Sequence, residues 1–212
     1  MIHVENISFS YPRGAAPVLT DFSACFERGE MTVIKGKNGC GKTTLTKLIV
    51  GILRPAAGRI SIDGYDNSGM DLFGIGQQVG YIFQNPERQL FCNTVFNEVA
   101  FGLRYQKKDE TRVEQDVGHY LDLFNLTQYR DTYPGKLSLG EKQRLALAAV
   151  LALGTSYLVL DEPGTGLDVR SQQELGDLLN MLRTEQNCGI IFVTHSSGLI
   201  DRYADRELVM IQ

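Results

Sequence analysis

The residues Gly36-Lys37-Asn38-Gly39-Cys40-Gly41-Lys42-Thr43-Thr44 carry the clearest chemistry in the chain. They fit the pattern G-x-x-x-x-G-K-[ST] without a mismatch. The glycines let backbone N–H groups curl around phosphate oxygens, and a helix starting at the loop adds the partial positive charge of its N-terminus. Asn38, Gly39, Cys40, Gly41 and Thr44 belong to this cradle. Lys42 would reach the β- and γ-phosphates of a nucleotide, and the Thr43 hydroxyl would take a place on Mg²⁺. A second group is Asp161-Glu162, which ends the apolar run Tyr157-Leu158-Val159-Leu160. A strand ending in two acids is the other half of such a site. Asp161 would hold the magnesium shell, and Glu162 would polarise an attacking water. Tyr11 sits at the first turn, where a ring can stack on a purine; from the residues alone a core or turn tyrosine is the commoner reading. His195 follows a strand, and a lone histidine there is ordinarily structural.

These residues need elements to hold them. Met31-Thr32-Val33-Ile34 reads as a buried strand before the loop, and Leu45 to Val50 has helical spacing after it. Ile2 to Tyr11 and Val18 to Phe26 alternate apolar and polar, as two strands of a small antiparallel sheet should. Arg59 to Gly64 reads as another strand and turn, and Tyr65 to Gln77 as a glycine-rich surface connection. Val79 to Phe83 is a buried strand ending at Gln84. From about Asn93 to Leu153 the periodicity is helical, with one stripe at Val113, Val117, Leu121 and Phe124 and a run from Leu145 to Leu153 that is apolar all round. Strands resume at Tyr157 and Gly189 and again from Arg206 to Ile211, with a helix carrying Leu175, Leu178, Leu179 and Leu182 between the first two. The expected fold is α/β: a P-loop core with a mostly parallel sheet, an N-terminal antiparallel β subdomain and an inserted helical subdomain at roughly 85–155, all within one nucleotide-binding domain spanning 1–212. Gly36, Gln84, Asp161 and His195 all follow strand ends, the edge at which open α/β sheets bind ligands.

Composition sets limits on partners. The chain has 212 residues and a formal net charge of −4 with signs interspersed, which argues against a nucleic-acid-coating protein. No apolar run approaches the length of a membrane-spanning helix, and no secretory pattern is visible at Met1-Ile2-His3-Val4-Glu5. A membrane role must therefore come through a partner. Cys25, Cys40, Cys92 and Cys188 are scattered without a C-x-x-C pair, so a reducing cytosol is expected rather than disulfides or a zinc site.

The motif series resembles the ATPase subunit of an ABC transporter over nearly the whole chain. Gln84 matches the Q-loop and Leu137-Ser138-Leu139-Gly140-Glu141 the LSGGQ signature. Tyr157 to Glu162 matches Walker B, Gly166-Leu167-Asp168 the D-loop, His195 the switch histidine and Tyr11 the A-loop aromatic. The stretch Phe83 to Phe91, with Thr94-Val95 and Glu98 to Gly102, is similar to the energy-coupling-factor branch, whose ATPases drive uptake of vitamins and of cobalt or nickel ions. The resemblance implies ATP and Mg²⁺, with Tyr11 on adenine, Gln84 joining Thr43 and Asp161 at the metal, and His195 at the γ-phosphate. It implies a head-to-tail pair of ATPase subunits in which Ser138 and Gly140 meet the partner's ATP. It also implies a transmembrane transporter subunit and a peripheral place on the cytoplasmic face of the cell membrane; no nucleic acid is expected.

Two departures qualify it. Leu139 replaces a glycine and Glu141 a glutamine, which implies a poorer signature and favours a heterodimer over the possible homodimer. The chain also stops soon after its last strand, where the branch usually continues. Cys40 inside the loop reads as a small buried thiol. Other readings are a soluble ABC-type ATPase acting on ribosomes or DNA, a small-molecule kinase, and a regulatory nucleotide-binding module without turnover. A kinase has no use for Leu137 to Glu141 or His195. Glu162 argues against the regulatory module and Leu139 for it.

Overall fold

Ile2 and Val4 are buried on one face of β1 (Ile2–Phe9), as alternation requires, and a register irregularity between Val4 and Ile7, where Asn6 takes φ 47°, keeps Ile7 and Phe9 in the same core. The computed structural model describes residues 1–12, 16–194 and 196–210. β1 lies antiparallel between β2 (Leu19–Phe26) and β4 (Ala57–Ile62), and the two-residue β5 (Tyr65–Asp66) completes a four-stranded sheet in the order β2-β1-β4-β5.

The second sheet is parallel throughout. Its strands are β3 (Met31–Lys35), β6 (Val79–Ile82), β7 (Tyr157–Asp161), β8 (Gly189–Val193) and β9 (Arg206–Val209), in the order β6-β7-β8-β3-β9. β7 and β8 are buried at every position, because both faces of the sheet are covered. Period two divides each strand between two cores. Tyr157, Val159, Ile191 and Val193 face the antiparallel sheet and α1 (Lys42–Ile49). Leu158, Leu160, Ile190 and Phe192 face the helices on the other side.

Those helices are α3 (Val95–Tyr105), α4 (Glu110–Leu123), α5 (Leu139–Leu151), α6 (Val169–Gln186) and α7 (Ser197–Tyr203). The first three lie in sequence between β6 and β7, and Val113, Val117, Leu121 and Phe124 form the buried stripe that their spacing demands. The connection from Tyr65 to Gln77 is more structured than its glycines imply. It holds β5, a 3-10 turn at Asn67–Gly69 and α2 (Leu72–Gly76), whose N-terminus is capped by Asp71. Asn67 and Ile75 are buried, and Arg54 donates to the carbonyls of Asn67 (2.5 Å) and Met70 (2.8 Å). One buried isoleucine in a five-residue helix leaves too little periodicity to read. The helical pattern likewise begins at Val95, and Pro86–Arg88 before it is a 3-10 turn.

Candidate active site

Gly41 is the N-cap of α1 and lies in the left-handed region (φ 97°). A Cβ there would come within 2.9 Å of Val18 Cγ1, so both backbone and space require glycine. At Gly36, a Cβ would sit 2.5 Å from Cys40 Sγ and 2.8 Å from the Met210 carbonyl. Side chains of Thr94, Asp109, Ser138 and Asp168 cap α3 to α6. No side chain of the described residues caps α1, and its first turn carries no acid. Its leading N–H groups are thereby left for an external anion. Lys42 Nζ donates to the carbonyls of Gly36 (2.8 Å) and Lys37 (3.0 Å), so the ammonium spans the loop from within.

A cavity of about 400 Å³ opens over this loop. It is lined by Tyr11, Val18, Asn38, Gly39, Gly41, Lys42, Thr43, Thr44, Glu162 and Val193. Tyr11 is anchored by a 3.1 Å hydrogen bond between its hydroxyl and Thr44 Oγ1, and by an edge-to-face contact with Phe9 (5.0 Å). Asp161 is buried at the end of β7, where Thr43 Oγ1 donates to its Oδ1 (3.3 Å). Glu162 follows with a left-handed backbone (φ 53°) and donates its N–H to the Val193 carbonyl (2.9 Å), which ties the acid to the end of β8. The Thr165 hydroxyl donates to its carboxylate (3.4 Å).

A hydroxyl and a carboxylate so placed are hard oxygen donors, the set that Mg²⁺ takes when phosphates and waters fill its other positions. The donor set therefore fits the cation. Thr43 and Asp161 would hold it, and its charge would offset that of the β- and γ-phosphates.

Other expected site residues lie elsewhere. Cys40 does not face the cavity. Its N–H donates to the Lys37 carbonyl (3.2 Å) in the loop's own turn, and its buried thiol lines a groove with Val18, Leu19 and Met210. Gln84 is exposed beyond β6 and is not among the cavity's described lining residues. Ser138 and Gly140 stand at the start of α5, outside the cavity. There Ser138 N donates to Glu141 Oε2 (2.7 Å) and Glu141 N donates to Ser138 Oγ (3.4 Å), closing a capping box, and Ser138 Oγ also donates to Glu141 Oε2 (2.7 Å). The Tyr129 hydroxyl, then Ser138, hold the Glu141 carboxyl below its usual range. His195 lies outside the described residues. Sequence reasoning missed Val18, Val193 and Tyr81. Tyr81 OH donates to Asp161 Oδ2 (3.3 Å), and a tyrosine in an otherwise aliphatic strand was the available signal.

A strand, a glycine loop and an uncapped helix, facing an acid pair on a parallel strand, define a P-loop nucleotide-binding protein. The ABC transporter family model matches residues 19–165. A putative ABC transporter ATP-binding protein of Pyrococcus furiosus is 42% identical over 210 residues, covering 99% of this chain and 80% of that protein. An energy-coupling factor transporter ATP-binding protein of Methanothermobacter thermautotrophicus is 40% identical over 212 residues, with 99% and 68% covered. The solved structure of cbiO1 from Clostridium perfringens, described as part of the ABC transporter complex cbiONQ, superposes with a TM-score of 0.90 at 33% identity, covering 99% of this chain and 84% of that one. The chain belongs to the ABC transporter family, among its ATP-binding proteins. It spans only 30% and 36% of the length of two other curated relatives.

Proposed function

We propose that this chain is the ATP-hydrolysing subunit of a membrane transporter. The observation that carries the reading is a single cavity shared by the P-loop, Tyr11 and Glu162, with Asp161 hydrogen-bonded to Thr43 beside it. Tyr11 stacks on adenine. Lys42 exchanges its two loop carbonyls for phosphate oxygens, and the N-terminus of α1 takes further phosphate charge. Glu162 orients water for in-line attack on the γ-phosphate, with His195 and Gln84 at the same reaction centre. Gln84 would also join Thr43 and Asp161 in holding the metal. Ser138 and Gly140 close on the ATP of a second ATPase subunit, and Leu139 favours a heterodimer.

The membrane partner docks near Gln84 and the helical segment. Phe91 and Phe101 meet edge to face at 4.9 Å and are 66% and 52% exposed, an aromatic surface suited to a transmembrane subunit. Among the described residues no helix is long and apolar enough to cross a membrane. As the ATPase partner of a membrane subunit, the chain sits peripherally on the cytoplasmic face. The likeness to an energy-coupling factor protein favours uptake of a vitamin or transition-metal ion as the cargo.

The test is Glu162→Gln. ATP turnover should fall by about 10²–10⁴-fold, the usual contribution of a positioned base, while ATP binding persists. Unchanged turnover would refute the assignment. Isolation of the chain with its native membranes should bring down a polytopic membrane protein, whose identity decides the cargo.

A further inference from the structure

Tyr81 lies opposite Val159 in the parallel pairing of β6 with β7, and Asp161 is two residues further on the same face of β7. The phenol spans that interval, and its hydroxyl donates to Asp161 Oδ2 (3.3 Å). The other oxygen, Oδ1, accepts from Thr43 (3.3 Å). The ring is held by an edge-to-face contact with Phe83 at 5.0 Å. The fully buried Thr46, whose hydroxyl donates to the Thr43 carbonyl (2.9 Å), lies against the same phenol oxygen. Tyr81 thus joins the strand that leads into Gln84, the strand that ends in Asp161 and the first turns of α1.

We propose that Tyr81 is a positioning residue: its hydroxyl occupies Oδ2 of Asp161, so that Oδ1 alone is turned toward Thr43 and the divalent cation. A buried carboxylate with one oxygen unpaired can rotate, and rotation would take the oxygen that serves the cation out of line. Tyr81 touches neither nucleotide nor metal in this role and acts through Asp161. The inference rests on the reading of the cavity as an ATP site.

Tyr81→Phe removes the hydroxyl and keeps the ring. With ADP bound, the Mn²⁺ concentration for half-saturation, followed by the EPR signal of free Mn²⁺, should rise about three- to tenfold, the effect of one net hydrogen bond. Affinity for ATP in EDTA should not change. Tyr157→Phe is the structural control, because it deletes a hydroxyl bond of similar burial to Asp63 (2.9 Å) away from the cavity. It should leave Mn²⁺ half-saturation unaltered. Wild-type Mn²⁺ affinity in Tyr81→Phe, or an equal rise in Tyr157→Phe, would overturn the proposal. A wild-type protein that binds neither nucleotide nor nucleotide-dependent Mn²⁺ would instead overturn the ATP-site reading beneath it.

Discussion

Leu139 is the residue at which this chain departs most from its family's signature, and its side chain leans sideways. Its Cδ2 lies 3.1 Å from where a Cβ on Gly166 would sit, so the signature rests on the chain's own D-loop. The leucine is 37% exposed and α5 keeps its start, so the departure alters contact rather than helix formation. Leu139→Gly should raise ATP turnover of the purified chain severalfold; strong turnover that the substitution leaves unchanged would show that the leucine does not weaken the signature. Asp63 offers a different test. Burial opposes its ionisation, but Arg28 (2.6 Å), the N-terminal ammonium (2.5 Å) and the Tyr157 hydroxyl (2.9 Å) outweigh burial and bring its pKa to about 2. A carboxyl depressed on folding contributes stability above its unfolded pKa and loses it as pH falls through the folded value. Asp63→Asn should therefore lower stability at neutral pH by on the order of 1 kcal/mol, allowing for solvent screening. The gap between the two urea midpoints should close as pH drops from about 4 to about 2; a gap independent of pH would contradict this. At this scale, the gathering of Lys42, Thr43 and Glu162 round one cavity, with Asp161 bonded to Thr43, was legible because these residues stand in contiguous motifs. Cys40 and Tyr81 were not, since the direction of one thiol and the reach of one phenol depend on loop turn and strand register.

Among the elements, β6 and α5 dock more closely than their sequences announce. A Cβ on Gly80 would stand 2.1 Å from Val150 Cγ1 and 3.0 Å from Leu158 Cδ2, so the strand carries a gap that the helix fills. Gly80→Ala should cost about 1–3 kcal/mol through overpacking, seen as a lower thermal midpoint. Gly118→Ala, within α4 and with nothing within 4 Å of the new methyl, should match or exceed the wild-type midpoint. Equal midpoints for all three proteins would refute the packing argument. Long elements with a strong period were readable from residues alone: the alternation of β1, the stripe of α4 and the continuous apolar runs of β7 and β8. The stretch from Tyr65 to Gln77 was not, because α2 and β5 are too short to show a period and owe their form to Asp71 and Arg54.

At the scale of the molecule, the parallel sheet places the ends of β3, β7 and β8 side by side, and the cavity lies over those ends. That convergence was foreseeable, because strands alternating with helices leave few topologies and ligands gather at the carboxyl ends. The strand order β6-β7-β8-β3-β9 was not, since local pattern does not say which buried strand pairs with which. The order matters: with β6 beside β7, Tyr81 reaches Asp161 and the chain leaves toward Gln84 from a strand already tied to the acid pair. The two cores meet through this sheet, so the nucleotide cradle on one face and the helical segment on the other share its five strands.

Lys42, folded onto the carbonyls of Gly36 and Lys37, is also part of the loop's own architecture. Its ammonium braces the turn that runs from Gly36 to the start of α1. Replacing Lys42 would remove this brace together with the phosphate contact proposed for it, so a variant there reports on both loop shape and binding.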